Sequence, residues 1–235
     1  MELPAFLNLK GYGHLLLDGA LITVTVGIAA MGVAMALGIL GALARLSSQG
    51  WLRAIGTAYA TIIRGIPELV LMLIVYYGGT VLLQWLLSLG GGDVRIDINA
   101  FAAGTIVIGF VYGAYATEIF RGAFLAIPKG QIEAAQAFGM PDAKLFFRIK
   151  LPQAWRLAIP GLGNLWLTLL KATSITSVIG LTELARQADL IKSPTKMPFT
   201  VFFVASLLYL AMTAVSDLFR VRAERWASSG FRRST

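Results

Sequence analysis

The sequence predicts an all-α polytopic membrane protein that crosses the bilayer five times. Of its 235 residues, 57% are hydrophobic and 14% charged, against roughly 45–50% apolar in soluble domains. The apolar residues gather in five runs, each close to the roughly 20 residues a helix needs to cross the hydrocarbon. No run shows the period-two alternation of a membrane β-strand. Lipid offers no partner to backbone amides, so the runs are helices.

In order, the spans cover about 20–44, 68–87, 99–118, 160–181 and 198–219. The first lacks a preceding basic segment and exceeds the roughly 7–15 residues of a signal-peptide core, so it reads as a retained span despite the GALA at 41–44. Its glycines at 27, 32, 38 and 41 suit close helix packing. Spans and short connections use nearly the whole chain, which gives one membrane domain over 1–235 and leaves no room for a soluble catalytic domain.

Loop charge sets the expected orientation. Arg45, Arg53 and Arg64 follow the first span, and the 119–159 loop holds Arg121, Lys129, Lys144, Arg148, Lys150 and Arg156. The tail adds Arg220, Arg222, Arg225, Arg232 and Arg233, while the opposite side has Lys10, Arg95, Arg186, Lys192 and Lys196. The positive-inside rule then places the N-terminus outside and both the 119–159 loop and the C-terminus in the cytoplasm. The net charge of +8 is a loop asymmetry and implies no nucleic-acid partner. The absence of cysteine excludes disulfides and thiolate sites, and the lone His14 leaves no metal site to expect.

The long polar loop carries QIEAAQAFGMPDAKLFFRIKLP from Gln131 to Pro152. Pro128 suits a first helical turn and Gly139 with Pro141 a stop, so a helix of two to three turns is expected there. Alanines at 134, 135 and 137 beside Glu133 give it a nearly flat face. Asp142 is expected to cap a second helix that runs through Lys150 and ends at Pro152.

Glu133, Ala134, Ala135, three residues, Gly139, nine residues, Ile149, one residue, Leu151 and Pro152 together resemble, position for position, the cytoplasmic signature of permease subunits of ATP-binding cassette importers. The similarity extends over about 18–185. RGIPELVLMLIVYYG at 64–78, AYATEIFRGAF at 114–124 and LKATSITSVIGLTEL at 170–184 are similar to the polar amino acid branch, in particular its histidine, basic amino acid, octopine and nopaline permeases. The wider branch usually has aspartate at the position of Ala172, which the histidine and opine permeases resemble this chain in lacking.

The resemblance implies a type I importer permease of the bacterial cytoplasmic membrane that translocates a polar, basic amino acid or an opine by alternating access. It implies that Glu133, Ala134, Ala135, Gly139, Ile149, Leu151 and Pro152 couple the chain to a cytoplasmic ATPase dimer. The implied partners are that dimer, a second permease chain, an extracytoplasmic solute-binding protein and membrane lipid. The chain has no GxxxxGK[ST] phosphate loop. It is therefore expected to be no enzyme and to bind no cofactor, with ATP and Mg held by the ATPase. An ion-gradient-driven secondary transporter is the alternative, although such folds commonly carry internal repeats and none is evident here.

Ionisable residues at membrane depth are costly and mark candidate sites. Arg64 and Glu68 are four apart, though Pro67 would bend the helix between them, and Glu118 and Arg121 are three apart, all near cytoplasmic span ends. They suit helix-end ion pairs or a gate, and Glu118 suits a substrate ammonium. On the fourth span Asn164, Thr168 and Lys171 share one stripe with Ser174 about a quarter turn on. Lys171 near mid-membrane suits a substrate carboxylate, Asn164 either end of a zwitterion; Thr168 and Ser174 suit the path or interhelical bonding.

Overall fold

The computed structural model describes residues 9–89 and 99–229, and all regular structure within them is helical. We number the helices α1 (Gly13–Leu46), α2 (Gly50–Gly65), α3 (Glu68–Ser88), α4 (Ala100–Leu125), α5 (Lys129–Ala137), α6 (Asp142–Ile179), α7 (Leu184–Thr195) and α8 (Pro198–Ser228). Five of these, α1, α3, α4, α6 and α8, are long and apolar enough to cross a membrane, in line with the expected fold class.

The core is the pair α1 and α4, which run parallel and nearly touch backbones. A Cβ on Gly38 would lie 2.5 Å from the Ala116 Cβ, and one on Gly109 would lie 2.5 Å from the Val33 Cβ. Small residues permit this approach, and dispersion between the two surfaces stabilises it where lipid supplies no hydrophobic drive. α6 packs antiparallel on α4, with Gly161 against Ile119 and Gly104 against Thr176. α8 returns alongside α6, where Arg220 lies over Gly163.

The helices α1, α6 and α8 begin or end several residues beyond their expected spans. At the start of α1 the added turn packs against protein, so hydropathy does not bound it: Leu16 joins Leu184 and Ile191 of α7 and Val201 of α8 in a separate buried cluster. Glu183 is fully buried there. Its carboxylate accepts from the amides of Ala185 and Arg186, which caps α7, and from the hydroxyls of Tyr209 at 2.8 Å and Thr23 at 3.4 Å. One carboxylate thus ties α1, α7 and α8 together.

Three connections differ from expectation, one of them the link between the fourth and fifth spans, which contains α7. The 45–67 connection contains α2, an amphipathic helix whose Gly56 and Ala60 are buried while Trp51, Ile55 and Ile62 are exposed. It ends at Ile66, held extended (φ −105°, ψ 135°) before Pro67 because a residue before proline avoids helical geometry. The helix expected over 142–150 does not end at Pro152. Asp142 is its first helical residue and its side chain caps nothing. The chain widens into a π-turn at Phe146–Lys150 and continues as α6. A π-turn shifts the hydrogen-bond register by one residue, which accommodates Pro152 without an N–H to donate.

A π-turn also interrupts α3 at Ile74–Gly78. That helix is loosely held: 11% of its most apolar window is buried inside the chain, against 67% for α4.

Gly38→Leu is expected to separate α1 from α4, at a cost of about 1–3 kcal/mol for overpacking, and to lower the thermal midpoint in detergent. Gly32→Ala, where a Cβ meets nothing within 4 Å, should not lower it, since alanine is the better helix former.

Candidate functional site

Contact between α1 and α4 brings together side chains remote in sequence. Glu118 on α4 accepts from Arg45 of α1 and from Arg64 of α2 at 2.9 Å through Oε1, and from Arg121 at 3.0 Å through Oε2. Three guanidiniums surround one carboxylate, so the cluster keeps a positive excess. Arg45 is the residue sequence reasoning missed, because its partner lies 73 positions away and no local spacing announces it.

Arg64 and Glu68 do not pair. The extended Ile66–Pro67 link breaks the helix between them, so four-residue spacing no longer places them on one face. Glu68 opens α3, lies beside the Tyr112 hydroxyl, and has no ion pair among the described residues.

Both carboxylates line a cleft of about 480 Å³ between α3, α4 and α6, with Arg64, Tyr112, Tyr115, Asn164 and Thr168. Asn164 is exposed to it. The Thr168 hydroxyl donates to the Asn164 carbonyl at 3.1 Å, and the Ser174 hydroxyl to the Lys171 carbonyl at 2.8 Å. Both hydroxyls are therefore bonded within their own helix. Lys171 is exposed on the same side of α6 as Thr168 but, like Ser174, lies outside the lining of the cleft. Of the expected path residues the structure gathers Asn164, Thr168 and Glu118, and it adds Glu68 and Tyr112.

At the end of the bundle beside the arginine cluster, α5 stands out from the spans. Ala135 is buried and Ile132 packs on the core, while Glu133, Ala134, Ala137 and Phe138 are exposed, Phe138 to 91%. Gly139 (φ +73°) ends the helix. Its N–H donates to the Gln136 carbonyl at 2.9 Å and that of Met140 to the Ala135 carbonyl at 3.0 Å. This pair of bonds needs a left-handed residue, which glycine adopts without a Cβ penalty. Ile149 lies in the π-turn and Leu151 and Pro152 open the next turns of α6. Gln153 of α6 donates to Gln131 of α5 at 2.6 Å, and Phe146 of α6 stacks on Phe124 of α4 with centroids 6.0 Å apart. Side chains thus join α5 to α6 and α6 to α4, the latter two being helices that line the cleft.

Comparison with known proteins finds that residues 15–229 match the family described as binding-protein-dependent transport system inner membrane component. The histidine/lysine/arginine/ornithine transport system permease protein HisQ of Salmonella typhimurium is 42% identical over 226 residues, 96% of this chain and 99% of that protein. The octopine transport system permease protein OccQ of Agrobacterium tumefaciens is 42% identical over 92% of this chain and 91% of its own. A crystal structure of an amino acid ABC transporter with histidines superposes with TM-score 0.79 at 32% identity, covering 96% of this chain and 99% of that one. The MetNI methionine ABC transporter, at 19% identity and TM-score 0.74, shares the fold.

Glu118→Ala leaves three arginines facing one another. It is expected to destabilise the chain by about 3 kcal/mol, the lower end for breaking a buried pair, because the cluster is partly exposed. Arg64→Ala, at the exposed edge, should cost no more than about 1 kcal/mol. Thermal unfolding of the two variants in detergent separates these outcomes.

Proposed function

This chain belongs to the binding-protein-dependent transport system inner membrane components, and on that premise we propose that it is the permease subunit of an ATP-driven importer for a basic amino acid or an opine. The observation that carries the reading is α5: a short helix, closed at Gly139 and exposed on its Glu133 and Ala134 side, that is tied by side chains to the cleft-forming helices. Family membership favours this over a gradient-driven transporter.

The cycle we propose is alternating access, and the geometry supports it. ATP binding closes the partner ATPase dimer, in which ATP and Mg reside, and displaces α5. The displacement passes through Phe146 on Phe124 and Gln153 on Gln131 to α6 and α4. These helices turn the cleft outward, where a binding protein delivers solute; hydrolysis lets the cleft face inward again. Net direction requires that the cleft hold solute differently in the two states. Five spans enclose no path alone, so a second permease chain completes it. Arg45, Arg64 and Arg121 lie at the same end of the bundle as α5, which supports a cytoplasmic placement of that end by the positive-inside rule.

Within the cleft, the roles of the two carboxylates differ. Glu118 is occupied by three arginines and positions them. Glu68, with the Tyr112 hydroxyl beside it and no ion pair among the described residues, receives the cationic end of the solute. Asn164 bonds its polar groups, and Lys171, on the same side of α6, faces the shared axis and attracts a carboxylate.

Purified in mild detergent, the chain should bring two ATPase subunits and a second permease with it, whereas isolation alone after crosslinking would overturn the importer reading. In vesicles holding the assembled complex, Gly139→Val or Glu133→Ala should lower uptake about tenfold or more while the complex remains intact. Glu68→Gln should weaken uptake of a cationic amino acid about tenfold, one contact of roughly 1.4 kcal/mol, and leave ATPase assembly unchanged; equal uptake by both forms would remove Glu68 from the path.

A further inference from the structure

The helix α6 turns opposite faces to two cavities. Asn164 and Thr168 face the solute cleft, whereas Gly163 and Trp166, about half a turn away at roughly 100° per residue, face a groove between α6, α1 and α8. That groove encloses about 660 Å³, inside the range of about 300–1,000 Å³ for sites that hold a small molecule. Its α8 wall is Met212, Val215, Phe219 and Ala223. From Met212 to Ala223 it extends about 16 Å at 1.5 Å per residue, close to half of a hydrocarbon core about 30 Å thick.

The one charged residue in the lining carries no free charge into it. Arg220 lays its stem on Gly163 and bonds Asp217 at 2.7 Å and Glu224 at 2.6 Å. Beyond Ala223, and on the same face of α8, is Trp226, with the Arg156 guanidinium 5.2 Å above its ring. Arg156 is exposed and has no ion pair among the described residues. Past the apolar lining of the groove come an indole, a ring that commonly sits at a bilayer interface, and over it a guanidinium with no ion pair among the described residues.

We propose that the groove binds one acyl chain of a membrane glycerophospholipid and that Arg156 holds its phosphate. Length, lining and charge all match a lipid from one leaflet, and the site lies on the face of α6 turned away from the solute path. A second permease chain would face that path, so the groove remains open to the bilayer. The proposal rests on the membrane-spanning fold and is independent of which solute is carried.

The assembled importer, reconstituted in vesicles of phosphatidylglycerol and phosphatidylethanolamine and re-extracted in mild detergent, tests this by native mass spectrometry. One retained phospholipid per copy of this chain is expected. Filling the groove with Ala211→Phe and Ala223→Phe should reduce retention about tenfold, and Arg156→Ala about fivefold, the effect of one cation near a membrane surface. ATP-driven uptake, measured separately, reports whether the importer reading survives. Retention unchanged in both variants, or absent in the native chain, would overturn the proposal. Since the chain lacks cysteine, a photoreactive label on Val215→Cys gives a second measurement that needs no bulky substitution: capture of phospholipid supports the site, and capture of the partner permease overturns it.

Discussion

The close approach of α1 to α4 is the constraint on which the remaining structure depends. Gly38 and Gly41 on one helix and Ala116 and Thr117 on the other leave no space for a larger residue. Thr117 fits because its hydroxyl donates to its own helix, at the Gly113 carbonyl. Once the two helices are in this register, Arg45 reaches Glu118 and α2 can lay Arg64 against the same carboxylate. The third helix then starts where α2 stops, and its first residue is Glu68. A packing decision between small apolar residues therefore places the charged groups of the cleft.

Two carboxylates one cleft apart show how environment divides chemistry between identical functional groups. Glu118 sits among cations from three helices and acts as a cross-brace. Glu68, cut off from Arg64 by an extended proline link, lies beside the Tyr112 hydroxyl and has no ion pair among the described residues. The same chain segment that prevents one ion pair thereby leaves an acceptor available where the helices part. Fixed cations beside an available anion form an uneven field along the cleft wall, suited to a solute that carries both signs.

The spans and the exposed helix α5 were legible in the sequence because each rests on a local pattern: a long apolar run, or small residues closed by a glycine. The extent of α6 was not. Pro152 reads as a stop under the general preference of the preceding residue, and only the π-turn at Phe146–Lys150 shows how the helix continues. α2 was also missed, since three arginines over 45–67 suggest a loop whereas the buried residues Gly56 and Ala60 mark a helix face only once α1 lies beside them. The bend at Pro67 between Arg64 and Glu68 was legible, but the partner Arg64 takes instead, Glu118, lies 54 positions away and no local spacing points to it. Lys171 was placed on the correct stripe of α6, yet the cleft ends one turn earlier, which periodicity alone does not register.

The loose hold on α3 bears on the life of the protein in the cell. A spanning helix with so little of its apolar window covered by its own chain draws its stability from whatever covers it next, and by mass action the folded population then rises with the concentration of that neighbour. The helix is thus the part of the fold whose stability depends most on what surrounds the chain rather than on the chain itself.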